Sequence, residues 1–554
     1  MNHIFKRFSA MALATAITIP LMTSCANTPK EYPLVELSVE KDLVYGEDIS
    51  SYLTAEKKET VEAYVFSGYE KILSTEQHAG ASKNIAVYAA KNESESIVTS
   101  LFANSAEEGL EFKIGTLPED VSAEIFIEKT HLIDEENWPD ALLPIRIEAV
   151  DLDENELQNI LIRFNVGKNT VAGDYEIPVV ITNANGEVFE TLTVDLHVWN
   201  FTYSDDYALD TAFGIWGGNS KYNPSKNYKS YYDFLLDHKI SAYGLPYSVL
   251  SEEAEAYMSD PRVSGFQVGV SEEIYKKLKS NPKWLEKAYT YIIDEPRTKE
   301  QLEELISLYA ETKSIMHEVR FLAPFYKNGH YDLANHIDYI EVFGNNMDIY
   351  CAQTQTFSDD FTYSTEFQTR GYKDWHGSVI DRLAGFAEER GGDVWIYACG
   401  QPKEPYLHLM VNTEGIDHRI LFWQTYVVGA TGFLFWDTTY WDAEGDTYTN
   451  IEDPWTNVLI GNGTYGDGIL MYPGDKYGID GPCGSVRLEA CRDGIEDYEL
   501  IYMVEKHLSK KAADDFVNQI TTAVDNSNRD SDNFNRVRIE MGNALEAALN
   551  NQQK

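Results

Sequence analysis

The sequence is short of cysteine, of positive charge and of long apolar runs, and each shortage excludes something. Only 5 of 554 residues are cysteine. Cys351, Cys399, Cys483 and Cys491 lie at spacings that match no metal site, and no histidine is an evident partner for a cysteine nucleophile. Cys483 and Cys491 are near enough in sequence to pair, and buried free thiols suit them equally. Lysine and arginine total 45 against 90 aspartates and glutamates, a formal net charge of -45. That balance speaks against a nucleic acid partner, because phosphate binding needs a basic surface. Its plain consequence is a soluble, self-repelling exterior. No internal repeat is present. The longest apolar stretch, from about Met11 to Met22, is too short for a stable membrane span.

That stretch reads as a targeting segment. Lys6 and Arg7 give it a positive start, and Leu21-Met22-Thr23-Ser24-Cys25 looks like a bacterial lipobox. The expected product is an exported lipoprotein, cut before Cys25, lipidated there and anchored to a membrane at the periplasmic face or the cell surface. The polar segment after Cys25 is expected to be a flexible tether. Export permits disulfides.

Aromatic residues are abundant, with 36 tyrosines and 10 tryptophans. They suit the apolar faces of sugar rings, and they also fill cores. The length allows two or three domains. Residues 26–200 hold many short strand-like runs, such as Ile85–Tyr88, Ile97–Leu101, Ala123–Ile127, Leu143–Ile147, Leu161–Val166 and Ile177–Ile181. Asn185-Gly186 is a hairpin signal before Thr191–Trp199. This predicts an all-β sandwich that supports a catalytic domain C-terminal to it. Over residues 205–490 strands alternate with helices. The strands are expected at Leu209–Ile215, Ile240–Leu245, Gly265–Val268, Ala288–Ile293, Arg320–Ala323, Tyr339–Phe343, Val394–Ala398 and Thr431–Trp436. Eight strands over this length fit a (β/α)8 TIM barrel. Residues 491–554 read as helices packed on the barrel.

One stretch stands out inside the barrel region. Tyr289-Thr290-Tyr291-Ile292-Ile293 is apolar and β-branched, and it stops abruptly at Asp294-Glu295-Pro296. Thr298-Lys299-Glu300-Gln301 then opens an amphipathic helix with a capping box. In such barrels the C-terminal strand ends carry catalytic groups. Paired carboxylates are glycosidase equipment, but the usual pair flanks the scissile bond. A carboxylate across the barrel is poorly marked, with Glu341 and Asp437 the candidates. That gap favours a sugar that brings its own nucleophile, the oxygen of a 2-acetamido group. Glu295 is then the acid/base, a role that needs a pKa raised by its neighbour's charge and partial burial, and Asp294 orients the amide. The bland alternative is an acidic helix N-terminus.

The ordered set of motifs resembles glycoside hydrolase family 123. The likeness rests on Lys91–Ser96, Val171–Glu176, Asp294-Glu295-Pro296, Trp423, Gly429–Trp436, Gly466-Asp467-Gly468, Tyr472-Pro473-Gly474, Gly481-Pro482, Ser485–Glu489 and Arg492–Tyr498. The resemblance implies an exo-acting β-N-acetylgalactosaminidase with Asp294 and Glu295 in the roles just given. It implies a glycan as partner and no cofactor. Further candidates for sugar contact are Tyr397, Trp436, Trp216, Trp441, Asn345 and Asn346. Arg487 and Arg492 read as structural ion-pair partners. Asp442, Glu444 and Asp446 lack the pattern of a true calcium loop, so no metal is expected. Two other readings stay open: a glycosidase using Glu295 with Glu341 or Asp437, and a glycan-binding lipoprotein without turnover.

Overall fold

The computed structural model describes residues 32–219, 221–325, 331–332, 337–358, 379–441 and 451–552. Ten strands come first: β1 (Val61–Ser67), β2 (Asn84–Lys91), β3 (Glu93–Ala103), β4 (Glu107–Ile114), β5 (Val121–Ile133), β6 (Glu136–Pro144), β7 (Val150–Leu152), β8 (Leu157–Val166), β9 (Gly173–Asn183) and β10 (Val188–Thr202). They form two five-stranded sheets, ordered β1-β3-β8-β5-β6 and β2-β10-β9-β4-β7. Ile97, Ile125 and Ile162 of the first sheet share one core with Ile181, Val194 and Leu196 of the second. The alternation of these side chains with outward ones is what a half-buried strand requires. The hairpin at Asn185-Gly186 forms as expected, with Gly186 at φ +77°. The expected strand Leu143–Ile147 instead ends at Pro144, and a 3-10 turn follows.

The second part carries seven parallel strands: β11 (Asp210–Phe213), β12 (Phe266–Gln267), β13 (Ala288–Tyr291), β14 (Arg320–Leu322), β15 (Ile349–Gln353), β16 (Asp393–Ala398) and β17 (Gly432–Phe435). Their order is β11-β17-β16-β15-β14-β13-β12. Residues 240–243 lie between the two outer strands: the Phe213 amide donates to the Ser241 carbonyl (3.0 Å), and the Gln267 amide to the Tyr243 carbonyl (2.7 Å). The sheet is thus a nearly closed barrel. Helices α1 (Tyr228–Asp237), α2 (Glu253–Ser259), α3 (Glu272–Leu278), α4 (Pro282–Lys287) and α5 (Lys299–Ile315) intervene between its strands. So do α6 (Tyr339–Asn345), α7 (Val379–Arg390) and α8 (Gly415–Val427).

Three expectations are corrected by this architecture. Tyr339–Phe343 is helical, and the strand falls later, at Ile349–Gln353. The β-branched and aromatic run suggested a strand, but Ile349-Tyr350-Cys351-Ala352 is the fully buried one, as a central parallel strand must be. The boundary at 490/491 cuts through a continuous helix, α9 (Val486–His507), followed by α10 (Lys510–Val517) and α11 (Ser531–Gln552). Between α10 and α11 lies a small hairpin, Thr521–Ala523 with Asn526–Ser527. Finally, the chain from Tyr32 onward is bound rather than loose. The Val35 amide donates to Asp260 and the Ser38 amide to Asp233, both at 2.8 Å.

Buried ion pairs join the two parts. Arg163 holds Glu489 (2.8 Å), Arg419 holds Glu95 (2.9 Å), and Arg487 holds Asp140 (2.7 Å). Arg492 pairs with Glu489 and Asp493. Breaking one member of such a pair strands a charge in the interior. Cys351, Cys399, Cys483 and Cys491 are free thiols, so Cys483 and Cys491 do not pair.

Candidate active site

The barrel interior is filled by alternate residues of the parallel strands. Tyr243, Tyr289, Tyr291, Leu322, Ile349, Cys351, Trp395, Tyr397 and Leu434 pack together there. This plug floors a mouth at the C-terminal strand ends. β13 stops at Tyr291, and the chain leaves regular structure until the cap of α5. Thr298 Oγ1 accepts from the Gln301 amide (3.3 Å), while Gln301 Oε1 accepts from the amides of Thr298 (3.1 Å) and Arg297 (2.8 Å). That box fixes where the acidic turn ends.

Between these anchors stand Asp294 and Glu295. Glu295 has φ +39°, a left-handed conformation that side-chain-bearing residues seldom adopt and that costs ~1–3 kcal/mol. The turn sends the two carboxylates to different neighbours. Tyr291 Oη donates to Asp294 Oδ1 at 2.9 Å. Tyr397 Oη donates to Glu295 Oε1, and Arg297 Nη2 to Glu295 Oε2. Asp294 keeps contact with solvent, yet the walls of the mouth crowd it. That crowding raises its pKa above the usual aspartate value, against the Tyr291 hydrogen bond, and the charge of Glu295 adds to the rise. Tyr397 is buried, and burial with the adjacent Glu295 charge pushes its hydroxyl well above the usual tyrosine range. It therefore remains a proton-bearing donor at all ordinary pH.

Aromatic residues extend the mouth. Trp216 follows β11 and is 55% exposed. Its ring lies against Tyr243 (5.2 Å between centroids, 30° between planes) and is 6.2 Å from Tyr291. The result is an aromatic wall running toward Asp294. Trp436, just past β17, is half-buried and donates its Nε1–H to Asp467 Oδ1 at 3.0 Å. Asp467 is held in turn by the Gly400 amide (2.8 Å). Gly468 lies flat on Trp436, where a Cβ would come within 2.4 Å of the ring.

Other expected site residues lie elsewhere. Trp441 is fully buried and spends its Nε1–H on the Tyr222 carbonyl (2.8 Å), so it offers no face to a ligand. Asn345 ends α6, before β15, and so sits at the opposite end of the barrel from Asp294. Asn346 lies there too, bonded to the Val342 carbonyl. Glu341 is on α6 and not at a strand end. Asp437 does follow β17 but is fully buried. Its Oδ1 accepts from the amides of Trp216 (3.1 Å), Thr438 (2.7 Å) and Thr439 (3.0 Å). Burial pushes it up to about 6 against those bonds. It therefore anchors the Trp216 loop instead of facing the mouth. Cys25, Asp442, Glu444 and Asp446 lie outside the described residues, among which no cluster suits a metal ion.

Sequence reasoning missed the partners. Tyr291 and Arg297 flank the acidic pair within three residues, close enough to have been named as its ligands. Nothing local ties Asp467 to Trp436 across 31 positions of sequence.

Residues 272–504 match the family model "Glycoside hydrolase 123, catalytic domain". No curated protein matches the chain. Among solved structures, a family 123 glycoside hydrolase from Clostridium perfringens superposes with a TM-score of 0.59 at 12% identity, covering 89% of this chain and 98% of that one. A glycosyl hydrolase family 2 member from Bacteroides cellulosilyticus reaches a TM-score of only 0.22 at 11% identity, over 68% and 46% of the two chains. The first likeness concerns the fold; the second is too slight to bear on the site.

Proposed function

We propose, from the match of residues 272–504 to the glycoside hydrolase family 123 catalytic domain, that the protein removes terminal β-linked N-acetylgalactosamine from glycans, with retention, by substrate-assisted catalysis. The Clostridium perfringens relative was studied for glycolipid glycan hydrolysis, and glycolipid glycans are among the substrates proposed for this chain. The observation that carries the mechanism is the fate of the carboxylates. Asp294 and Glu295 stand side by side at one strand end, while Asp437 is buried in amide bonds and Glu341 belongs to a helix. A pair of enzyme carboxylates flanking the scissile bond is thereby left without its second member at either expected place.

In the proposed reaction the acetamido oxygen attacks C1 and forms a new C–O bond. The glycosidic C1–O bond breaks, and its electron pair leaves with the aglycone oxygen. Glu295 supplies the proton that this oxygen takes up. Asp294, as carboxylate, accepts the amide N–H and stabilises the positive charge that spreads over the oxazoline ring. Glu295 then takes a proton from water, the water oxygen attacks C1, and the ring reopens. Tyr397, a candidate for sugar contact, gives its hydroxyl to Glu295, which it orients. Trp216 serves as platform for a sugar face, and Trp436, locked by Asp467, floors the pocket. No cofactor enters.

Residues 240–243 complete the barrel as an eighth stave in this reading, making it a (β/α)8 barrel. Lipidation of Cys25 would hold the enzyme at a membrane, as an exported lipoprotein. The test is hydrolysis of paired aryl β-glycosides, GalNAc against Gal, by wild type and Glu295→Gln. Cleavage of the acetamido sugar alone, lost in the variant, is expected. Cleavage of the plain galactoside overturns substrate assistance, and glycan binding with no hydrolysis of either overturns the enzyme reading.

A further inference from the structure

Glu295 is engaged at both oxygens, and its two partners are unequal. Tyr397, on Oε1, belongs to the barrel plug and is 3% exposed. Arg297, on Oε2, has a side chain that is 55% exposed, on the turn just before α5. A carboxyl group that must deliver a proton to a leaving oxygen needs one oxygen to carry that proton and face the substrate. Tyr397 cannot retreat without disturbing the packed interior, whereas the Arg297 side chain reaches solvent. Among the described residues, the other charged or titratable groups about Glu295 are Asp294, beside it in the chain, Tyr291 and Cys351 from the barrel strands, and Cys399 just past β16. Arg297 is the cation among these neighbours. While it stays, it occupies Glu295 Oε2 with a charge-assisted hydrogen bond.

We propose that Arg297 is a positioning residue on the leaving-group side of the site: it holds Glu295 Oε2 in the free enzyme and is displaced toward the aglycone when a glycan occupies the mouth. This rests on the reading of Glu295 as the acid/base. It follows that the Oε2 side of Glu295, away from Tyr397, is where the scissile oxygen sits. It also follows that Arg297 affects the first chemical step in proportion to how much that step needs a proton. Poor leaving groups such as alkyl or sugar alcohols feel it, and a dinitrophenolate does not.

The experiment compares pH profiles of kcat/KM for wild type, Arg297→Gln, Arg297→Lys and Glu295→Gln. Two β-GalNAc glycosides are used, one with a methylumbelliferyl and one with a dinitrophenyl leaving group. On the first, Arg297→Gln is expected to move the alkaline limb to higher pH by roughly half a unit, the size of an exposed ion pair expressed as a proton equilibrium. Arg297→Lys restores most of the wild-type position. On the dinitrophenyl glycoside, whose leaving group needs no proton, Arg297→Gln is expected to shift kcat/KM less than on the first substrate. An unmoved limb in Arg297→Gln, with Glu295→Gln inactive on the first substrate, overturns the role of Arg297 alone. Equal loss at every pH on both substrates makes Arg297 a merely structural residue and also overturns it. Wild-type activity of Glu295→Gln on the first substrate overturns both this inference and the assignment beneath it.

Discussion

Tyr397→Phe isolates one hydrogen bond at the centre of the account. The ring sits in the barrel plug with Tyr291, Trp395, Cys351 and Leu434, and phenylalanine keeps that packing. What is lost is the donor to Glu295 Oε1. A hydrogen bond to a charged group is worth ~1.5–3 kcal/mol. At 1.36 kcal/mol for each factor of ten, the loss corresponds to roughly 10- to 150-fold in kcat if the bond orients the acid/base. Steady-state kinetics on an aryl β-GalNAc glycoside from pH 4 to 9 would read the fall in the ceiling. A thermal melt within about 2 °C of wild type would show the fold intact. Activity within two-fold of wild type, with the fold intact, would refute the claim that Tyr397 positions Glu295.

Four further outcomes are expected. Asp294→Asn should lower kcat on acetamido substrates by ~2.7–4 kcal/mol, on the order of 10²–10³-fold, the cost of losing one electrostatic stabiliser of the transition state. Because Asp294 works as a carboxylate and its pKa is raised, wild-type activity should fall on the acid side at a pH above the usual aspartate value, and pH–rate data in Asp294→Asn should lack that limb. Burial pushes Glu128 up to about 8, against the pull of Lys71 and Asn159. The folded chain then holds a proton that the unfolded chain releases near 4.5, so stability falls as pH rises from about 4.5 to 8; Glu128→Gln should remove that fall and melt higher at pH 8 by ~1–3 kcal/mol equivalent. Arg487→Met leaves Asp140 charged and fully buried, and should cost ~3–5 kcal/mol in denaturant titration.

Local patterns carried much of the fold. The strand at Ala288–Tyr291 and the capping box at Thr298 were visible because each depends on residues within a few positions. So were the β domain and six of the seven strands of the barrel region. The misplaced strand at Tyr339–Phe343 shows the limit. Its residues carry strand propensity, but the barrel needed a fully buried parallel strand, and Ile349–Gln353 met that demand. Asn345 was placed at the mouth through that error alone. Trp441 and Trp216 are alike in sequence, and only the fold decides that one is buried and the other 55% exposed. Asp437 drew notice as a lone acid after a strand. Its three amide partners come from two different loops, which no local pattern reports. The link from Asp140 through Arg487 to the carbonyls of Leu409 and Gly466 was equally hidden. It ties the β domain to the loop that carries Asp467, and so to the indole of Trp436.

The central claim is that the sugar's own amide oxygen is the nucleophile, with Asp294 and Glu295 serving it from one strand end. The most direct measurement is kcat/KM for a series of aryl β-GalNAc glycosides whose acetamido group carries none, one, two or three fluorines. Each fluorine withdraws electrons from the carbonyl oxygen and weakens its attack on C1. The account predicts a steep, monotonic fall across the series, down to trace activity for the trifluoro sugar. A flat series would contradict it and would require a nucleophile from the enzyme itself.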